Sequence, residues 1–494
     1  MLTLILALIS LSSGQLVDCD SDFPGPYKVL PKTIGQVKPG ASLAYKGRCF
    51  GRISVAVSES EKSFDVEILA YDKKSTFCTE FSVLSSGKSH ALKTYLLQGS
   101  YAHSFAKKDM SEYEAEFIRS SGFYLMKSCL DVSDFPKSLF ETAKLFLGGL
   151  GTNPLIPIFG SKVPEYQLSA NIDFVKRYTG YQFERWAKPQ RVNIDKKNIR
   201  SGDFLAILRL DGIDQLIHWG SGSRIGHSTM ALWRDGELFV VESQDGPYWP
   251  RRGIQKNKFD QWATWANNAD FNVLHVPLSD EARARFDVEK AWAFYDSMEG
   301  YNYGYHNFLF GFWDTPSQNV QGQYDLISLS IITSLFGKVV PKVIDLMFLD
   351  AINKRLGTEK LNFAGVWEEL YKRKTTLGEV MSIPERDDWR YEDGPNYVCS
   401  SFLVAVYKAA GVFGELDIQA TEFTPKDLLE LNIWETSGKY LAPECRDFAV
   451  EHNWCQIMGK VKMNLGPASF VEPYDQMNQR CPSIAPDYKR VAGC

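Results

Sequence analysis

From Gln15 to Val132 the chain alternates apolar and polar positions with a period of two. Phe64-Asp-Val-Glu-Ile-Leu-Ala-Tyr71 and Tyr113-Glu-Ala-Glu-Phe-Ile-Arg119 are examples, and clusters of Gly, Ser, Lys and Asp separate such runs. A period of two puts alternate side chains on opposite faces of a strand, so residues 15–132 are expected to form a small β-sandwich. Beyond Ser201 the pattern changes. Strands are expected over residues 204–210, 227–233 and 238–243. A mostly helical stretch over 314–390 reads as an insertion. Phe402, Leu403, Val406 and Ala410 recur at helical spacing between Pro395 and Gly411, which predicts a helix over about 398–410. The expected class is α+β: an N-terminal β-sandwich, then an antiparallel sheet with packed helices.

The ends and joints follow from composition. Residues 1–14 form a short apolar run with Ser12 and Gly14 near its end, the pattern of a signal peptide. Residues 133–200 read as a connector, with a helix and then a glycine-rich hinge at 148–154. Residues 201–439 form the second domain, and 440–494 a cysteine-rich tail. An apolar patch at 325–350 is interrupted by Lys338, Lys342 and Asp345. It reads as amphipathic helices, so no stable membrane insertion is expected. With 55 basic and 60 acidic residues and no basic stripe, the chain is not expected to bind nucleic acid.

Nine cysteines narrow the compartment. Cys19, Cys49, Cys78 and Cys129 form an early group, and Cys445, Cys455, Cys481 and Cys494 a late one. Behind a signal peptide, each group of four is expected to form disulfides within itself, by any of three connectivities. Secretion, or delivery to an endolysosomal or phagosomal lumen, is the expected destination. Cys399 remains over.

Candidate chemistry lies in two motifs. In the first, Asp235-Gly236 separates two β-rich runs, a strong hairpin signal. A two-residue loop pairs Arg234 with Glu237 and Ala231 with Val240, and by extension Thr229 with Glu242 and His227 with Gln244. His227, Glu242 and Gln244 then share a face, and long side chains can bridge the diagonal between His227 and Glu242. A carboxylate on one ring nitrogen would fix the tautomer of a histidine base and stabilise its imidazolium. Gln244 could orient the ring instead. In the second motif, Asn396-Tyr-Val-Cys-Ser-Ser-Phe402, Cys399 falls in the first turn of the expected helix. There free N–H groups and the helix dipole favour a thiolate. These residues predict a Cys399 nucleophile, a His227 base and a Glu242 partner.

Taken together, this region resembles the papain-like NlpC-type cell-wall peptidase and amidase superfamily in its circularly permuted form, with histidine first and cysteine last. The matching pieces are Gly202-Asp203, Gly226-His227, Val241-Glu242, Tyr301-Asn-Tyr-Gly with Phe308, Tyr397-Val-Cys-Ser-Ser-Phe, and Thr424-Pro-Lys-Asp-Leu428. The resemblance covers about half of the chain. It implies a permuted papain-like catalytic domain with a Cys399–His227–Glu242 triad, no cofactor, and cleavage of an amide bond in a peptide or cell-wall-type substrate. Relatives similar to lecithin retinol acyltransferase make lipid acyl chemistry the alternative, and a non-catalytic binding protein is a third reading. Tyr301, Tyr303 and Trp219 are candidate substrate-binding aromatics, with Trp249 nearby.

Two competing sites fare poorly. Gly226-His-Ser-Thr-Met230 approaches a nucleophile elbow around Ser228, but its fifth residue is not Gly and a hairpin follows, where an elbow needs a helix. His218, His275 and His306 lack the ligand spacing of a zinc site, so no metal is expected. Asp203 reads as a structural residue.

Overall fold

A computed structural model describes residues 32–127, 134, 136–137, 162–179, 181–210, 214, 217–218, 221, 223–244, 251–306, 345–381, 383, 385–391, 394–465, 470–473, 483–484 and 489–490. The expected signal peptide, the hinge at 148–154, Trp219, Trp249, Phe308 and most of 325–350 lie outside them. The structure is α+β, and its named strands pair antiparallel. The chain divides into two units, Met1–Lys144 with Val320–Ser382, and Leu145–Asn319 with Ile383–Cys494.

The first unit holds two four-stranded sheets. Strands β1 (Lys32–Val37), β8 (Phe123–Lys127), β5 (Glu80–Ser85) and β6 (His90–Tyr95) lie side by side in that order. The second sheet has the order β2 (Ser42–Tyr45), β3 (Phe50–Glu59), β4 (Ser63–Lys73) and β7 (Gly99–Ala106). Alternate residues Ile53, Val55, Val66 and Ile68 meet Leu84, Tyr95, Phe123 and Leu125 in one core. Cys49–Cys78 closes one end, with its Cα atoms 5.3 Å apart.

One stretch expected as a strand is a helix. Residues 113–119 lie within the helix Glu112–Ser121, whose N-cap Ser111 accepts a hydrogen bond from the Glu114 amide at 3.1 Å. Ala115 and Ile118, three apart, are the buried apolar pair, so the Tyr113–Ala115–Phe117 alternation misled. Helices also come from far along the chain. Asp350–Leu356, Phe363–Arg373 and Leu377–Met381 interrupt the second unit in sequence yet belong to the first in space. The Tyr371 ring stacks on Phe117 at 4.7 Å, its hydroxyl donates to the Ser86 carbonyl, and Lys88 pairs with Glu368 at 3.2 Å.

The second unit is built on an eight-stranded sheet. Its order is β13 (Gly253–Lys258), β12 (Glu237–Gln244), β11 (His227–Arg234), β10 (Phe204–Leu208), β14 (Asn272–Val276), β18 (Trp454–Val461) and β17 (Ala449–Val450), and β9 (Arg185–Arg191) also pairs with β18. The stretch expected as a cysteine-rich tail thus supplies β18, an interior strand. Its residues Cys455 and Ile457 join Leu205, Ile207, Ala231, Val240 and Val273 in a core covered by Trp262 and Ala266 of the helix Phe259–Asn268. Cys445–Cys455 ties the preceding turn to this strand. The two-residue strands β15 (Arg390–Tyr391) and β16 (Gly394–Pro395) pair just before the helix Cys399–Ala409. Phe402 of that helix stacks on Phe294 of the helix Val288–Met298, at 6.4 Å. Among the described residues, no helix is long and apolar enough to cross a membrane.

Candidate active site

The hairpin carrying the histidine has the expected register. Arg234 pairs with Glu237, Trp233 with Leu238 and Ala231 with Val240. Asp235 (φ 52°) and Gly236 (φ 75°) both occupy the left-handed region that a tight two-residue hairpin turn demands. Carried toward the open end, this register brings His227 and Glu242 together. His227 Nε2 lies 2.9 Å from Glu242 Oε2. The Glu242 side chain is fully buried, and that of His227 is 11% exposed. The bond goes to Glu242 and not to Gln244, which lies two residues on, opposite Gly253.

Cys399 opens the helix Cys399–Ala409, after the N-cap Val398. It is a free thiol, 3% exposed. First-turn amides have no partner within their own helix, so the Cys399 N–H remains available to an anion. The Val398 amide donates to Ser401 Oγ at 2.9 Å, which fixes the first turn. Three more bonds hold the segment. Ser243 Oγ, beside Glu242, donates to the Tyr397 carbonyl at 3.1 Å, Ser400 Oγ to the Phe423 carbonyl at 2.7 Å, and Tyr407 to the Gly202 carbonyl at 2.8 Å.

Cys399 lies within interaction range of the His227 imidazole, whose Nε2 is engaged by Glu242. Burial alone would lower the His227 pKa. The hydrogen bonds and negative charges of Cys399 and Glu242 outweigh it and push the pKa up to about 10. The raised pKa means that the imidazole holds its proton more tightly than a free histidine does, with Glu242 on one side of the ring and the Cys399 sulfur near it.

Of the aromatic candidates, Tyr303 reaches the sulfur, with its hydroxyl 4.0 Å from Cys399 Sγ. The neighbouring Gly304 explains the motif. Its amide donates to the Tyr397 carbonyl at 2.9 Å, and a Cβ there would stand 2.4 Å from the Tyr397 nitrogen, so only glycine lets the two segments touch. Tyr301 rests its ring against Gly394 while staying 40% exposed, and its carbonyl accepts from the Ile254 amide at 2.8 Å.

The other candidates take structural places. Asp203 Oδ2 lies 2.8 Å from His275 Nε2 and accepts from the Arg200 amide at 2.8 Å. Its Oδ1 accepts from the Leu278 amide and from Arg283. Burial would raise the Asp203 pKa, but these partners lower it. His306 stacks on Tyr391 at 4.0 Å. The His218 ring lies 2.7 Å from the Ser223 carbonyl, and burial pushes its pKa down to about 4. Ser228 is buried within β11, which runs on as strand to Arg234 without the turn into a helix that an elbow needs. Sequence reasoning missed Glu385, whose carboxylate accepts from Tyr391 at 2.7 Å and from Asn396 Nδ2, bracing the approach to Cys399. The polar Asn396 beside an apolar helix start was the available signal. Among the described residues, no group of three or more His, Cys, Asp or Glu is placed to hold a metal ion.

No family model, curated protein or solved structure matches the chain.

Proposed function

We propose that the chain is a cysteine hydrolase of the permuted papain-like type, acting on an amide of a peptide or cell-wall-type substrate in a secretory or lumenal compartment. One observation carries the reading: an unpaired thiol in the first turn of a helix lies within interaction range of an imidazole whose Nε2 a buried carboxylate holds. Disulfides elsewhere in the chain fit an oxidising compartment, where a cysteine kept reduced has a use other than bridging.

The Cys399 thiolate attacks the carbonyl carbon, and the Cys399 N–H faces the oxyanion that forms, with the Tyr303 hydroxyl as a second donor beside the sulfur. His227 gives its proton to the departing amine as the C–N bond breaks and a thioester remains. Water then attacks the thioester while His227 takes its proton, and the C–S bond breaks to release the acid and return the thiolate beside the protonated imidazole. Glu242 holds the ring and stabilises its charged form throughout.

The test combines labelling with turnover. Iodoacetamide at neutral pH should alkylate Cys399 in the folded chain and abolish cleavage of a peptide-amide substrate mixture, and Cys399→Ala should lose both. A Cys399 inert to alkylation, or hydrolysis that survives in Cys399→Ala, would sink the proposal.

A further inference from the structure

We infer that Glu385 is a positioning residue of the proposed active site: one oxygen of its carboxylate sets, through Asn396 and Tyr391, where the Cys399 sulfur and the Tyr303 hydroxyl stand. This role presupposes the hydrolase reading and goes beyond it by naming a residue that touches no reacting atom. Glu385 Oε1 accepts both from the Tyr391 hydroxyl at 2.7 Å and from Asn396 Nδ2. Tyr391 lies in β15, paired with Gly394, and Asn396 follows directly after β16, so a single oxygen ties the two arms of this short ribbon together.

Each arm leads to the site. From Asn396 the chain passes through Tyr397 and Val398 alone before Cys399 opens its helix. From Tyr391 the link is a stack: the His306 ring lies 4.0 Å away with its plane tilted by 6°. His306 is three residues beyond Tyr303, whose hydroxyl is the one at the sulfur. The Tyr397 carbonyl closes the arrangement. It accepts from the Gly304 amide and from Ser243 Oγ, so the Tyr303 loop, the strand of Glu242 and the segment before Cys399 meet at one atom.

Glu385 is itself held from behind. Its carbonyl accepts from Thr421 Oγ1 at 3.3 Å. Asp387, two residues on, accepts from the Thr421 amide at 3.2 Å and pairs at 3.2 Å with Lys408, in the last turn of the helix that Cys399 begins. The carboxylate is thus referenced to the far end of the helix whose first turn it places. Its side chain is fully buried, as are those of Asn396, Tyr391 and His306 for the most part. Burying a carboxylate costs free energy that a leucine in the same space would not, and a leucine could not hold the two donors. Both donors are neutral, so an uncharged oxygen at the same point can hold them too. The placement matters because a displacement of about 1 Å can cost a reaction on the order of 100-fold in rate.

The experiment compares Glu385→Leu, which removes the acceptor, with Glu385→Gln, which keeps one. On the peptide-amide mixture Glu385→Leu should lower kcat about 10- to 100-fold with KM little changed, and Glu385→Gln should recover most of the rate. The second readout needs no substrate: the pH profile of iodoacetamide alkylation at Cys399. It should move to higher pH in Glu385→Leu, because a sulfur shifted from the imidazole loses a neighbour that favours its thiolate, and return in Glu385→Gln. Greater exposure of the thiol would change the maximal rate and leave the midpoint in place. Urea unfolding certifies each fold. If Glu385→Leu does not fold, Tyr391→Phe and Asn396→Ala decide, each deleting one of the two bonds and each expected to lower kcat several-fold. The role is overturned if the folded variants that lack a bond keep the wild-type kcat and alkylation profile, or if Glu385→Gln is as impaired as Glu385→Leu. A wild-type chain that alkylates at Cys399 but cleaves no amide would end the hydrolase reading instead, and the alkylation profile alone would then decide for or against Glu385.

Discussion

Two buried histidine–carboxylate pairs lie in neighbouring parts of one sheet: Asp203 with His275 where β10 begins, and Glu242 with His227 on the adjoining hairpin. Their contacts are nearly equal, 2.8 Å and 2.9 Å, and both carboxylates are fully buried. Their surroundings differ. Asp203 accepts from two backbone amides and Arg283 besides its histidine, so both of its oxygens are used. Glu242 spends one oxygen on His227, and its Oε1 has no hydrogen-bond partner among the described residues. A closed network of the first kind clasps the chain. A half-satisfied carboxylate beside a histidine costs stability, which is what the proposed catalytic role of this pair would ask for. The distance within each pair does not separate the two roles; the neighbours do.

The largest expected effect is the loss of turnover in Cys399→Ala, by about four orders of magnitude or more, with melting nearly unchanged. Asp203→Asn should do the reverse. Breaking the clasp leaves Arg283 and His275 without their shared anion and should cost about 3–5 kcal/mol in urea unfolding, while molecules that remain folded still react at Cys399. A variant that kept full stability but lost alkylation would erase the distinction between the pairs.

Glu242→Gln comes next. Turnover should fall on the order of 100-fold. Because the carboxylate helps to raise the His227 pKa, its removal should move the alkaline limb of the kcat/KM profile from near pH 10 to lower pH. The matching stability contribution has a fixed sign. It is fully present below the ordinary histidine value of about 6.5 and is lost as pH rises through about 10. A limb unmoved by the substitution would remove Glu242 from the mechanism.

His218 supplies the smallest effect and the control. It is buried like His227, but among the described residues its ring partner is the Ser223 carbonyl and not a carboxylate, and its pKa falls to about 4. Its contribution is full above about 6.5 and lost as pH drops toward 4, an acid destabilisation of about 3 kcal/mol at most. Chemical denaturation across that interval should show a flatter profile in His218→Gln.

Local rules made much of the site legible. Asp235-Gly236 fixed the hairpin register, which brought His227 to Glu242. Cysteine parity isolated Cys399, and the helical spacing of Phe402, Leu403 and Val406 put it at a helix start. Long-range closure was not legible. An apolar stripe such as Phe363, Val366, Trp367 and Leu370 says that a face is buried, not which surface buries it, and here it belongs to a unit begun some three hundred residues earlier. The strand β18 was hidden for a related reason: Trp454-Cys-Gln-Ile-Met-Gly-Lys-Val461 lies among cysteines, which drew attention to covalent links and away from sheet pairing. Glu385 could not be placed because it works through a partner eleven residues away and shares no repeat with it.

The path of the chain between the units bears on how the protein can be cut. The polypeptide starts the first body, builds most of the second, returns to the first with the helices at 350–381, and only then delivers Cys399. No single cut releases either body whole. A fragment beginning near residue 201 would keep the sulfur and its base but also strand Trp367 and Tyr371, whose partners Gly87 and Phe117 would be gone. A nascent chain halted before the helix at 399 would carry the imidazole and the carboxylate without the sulfur, so under the proposed function the order of synthesis would withhold activity until the chain is nearly finished.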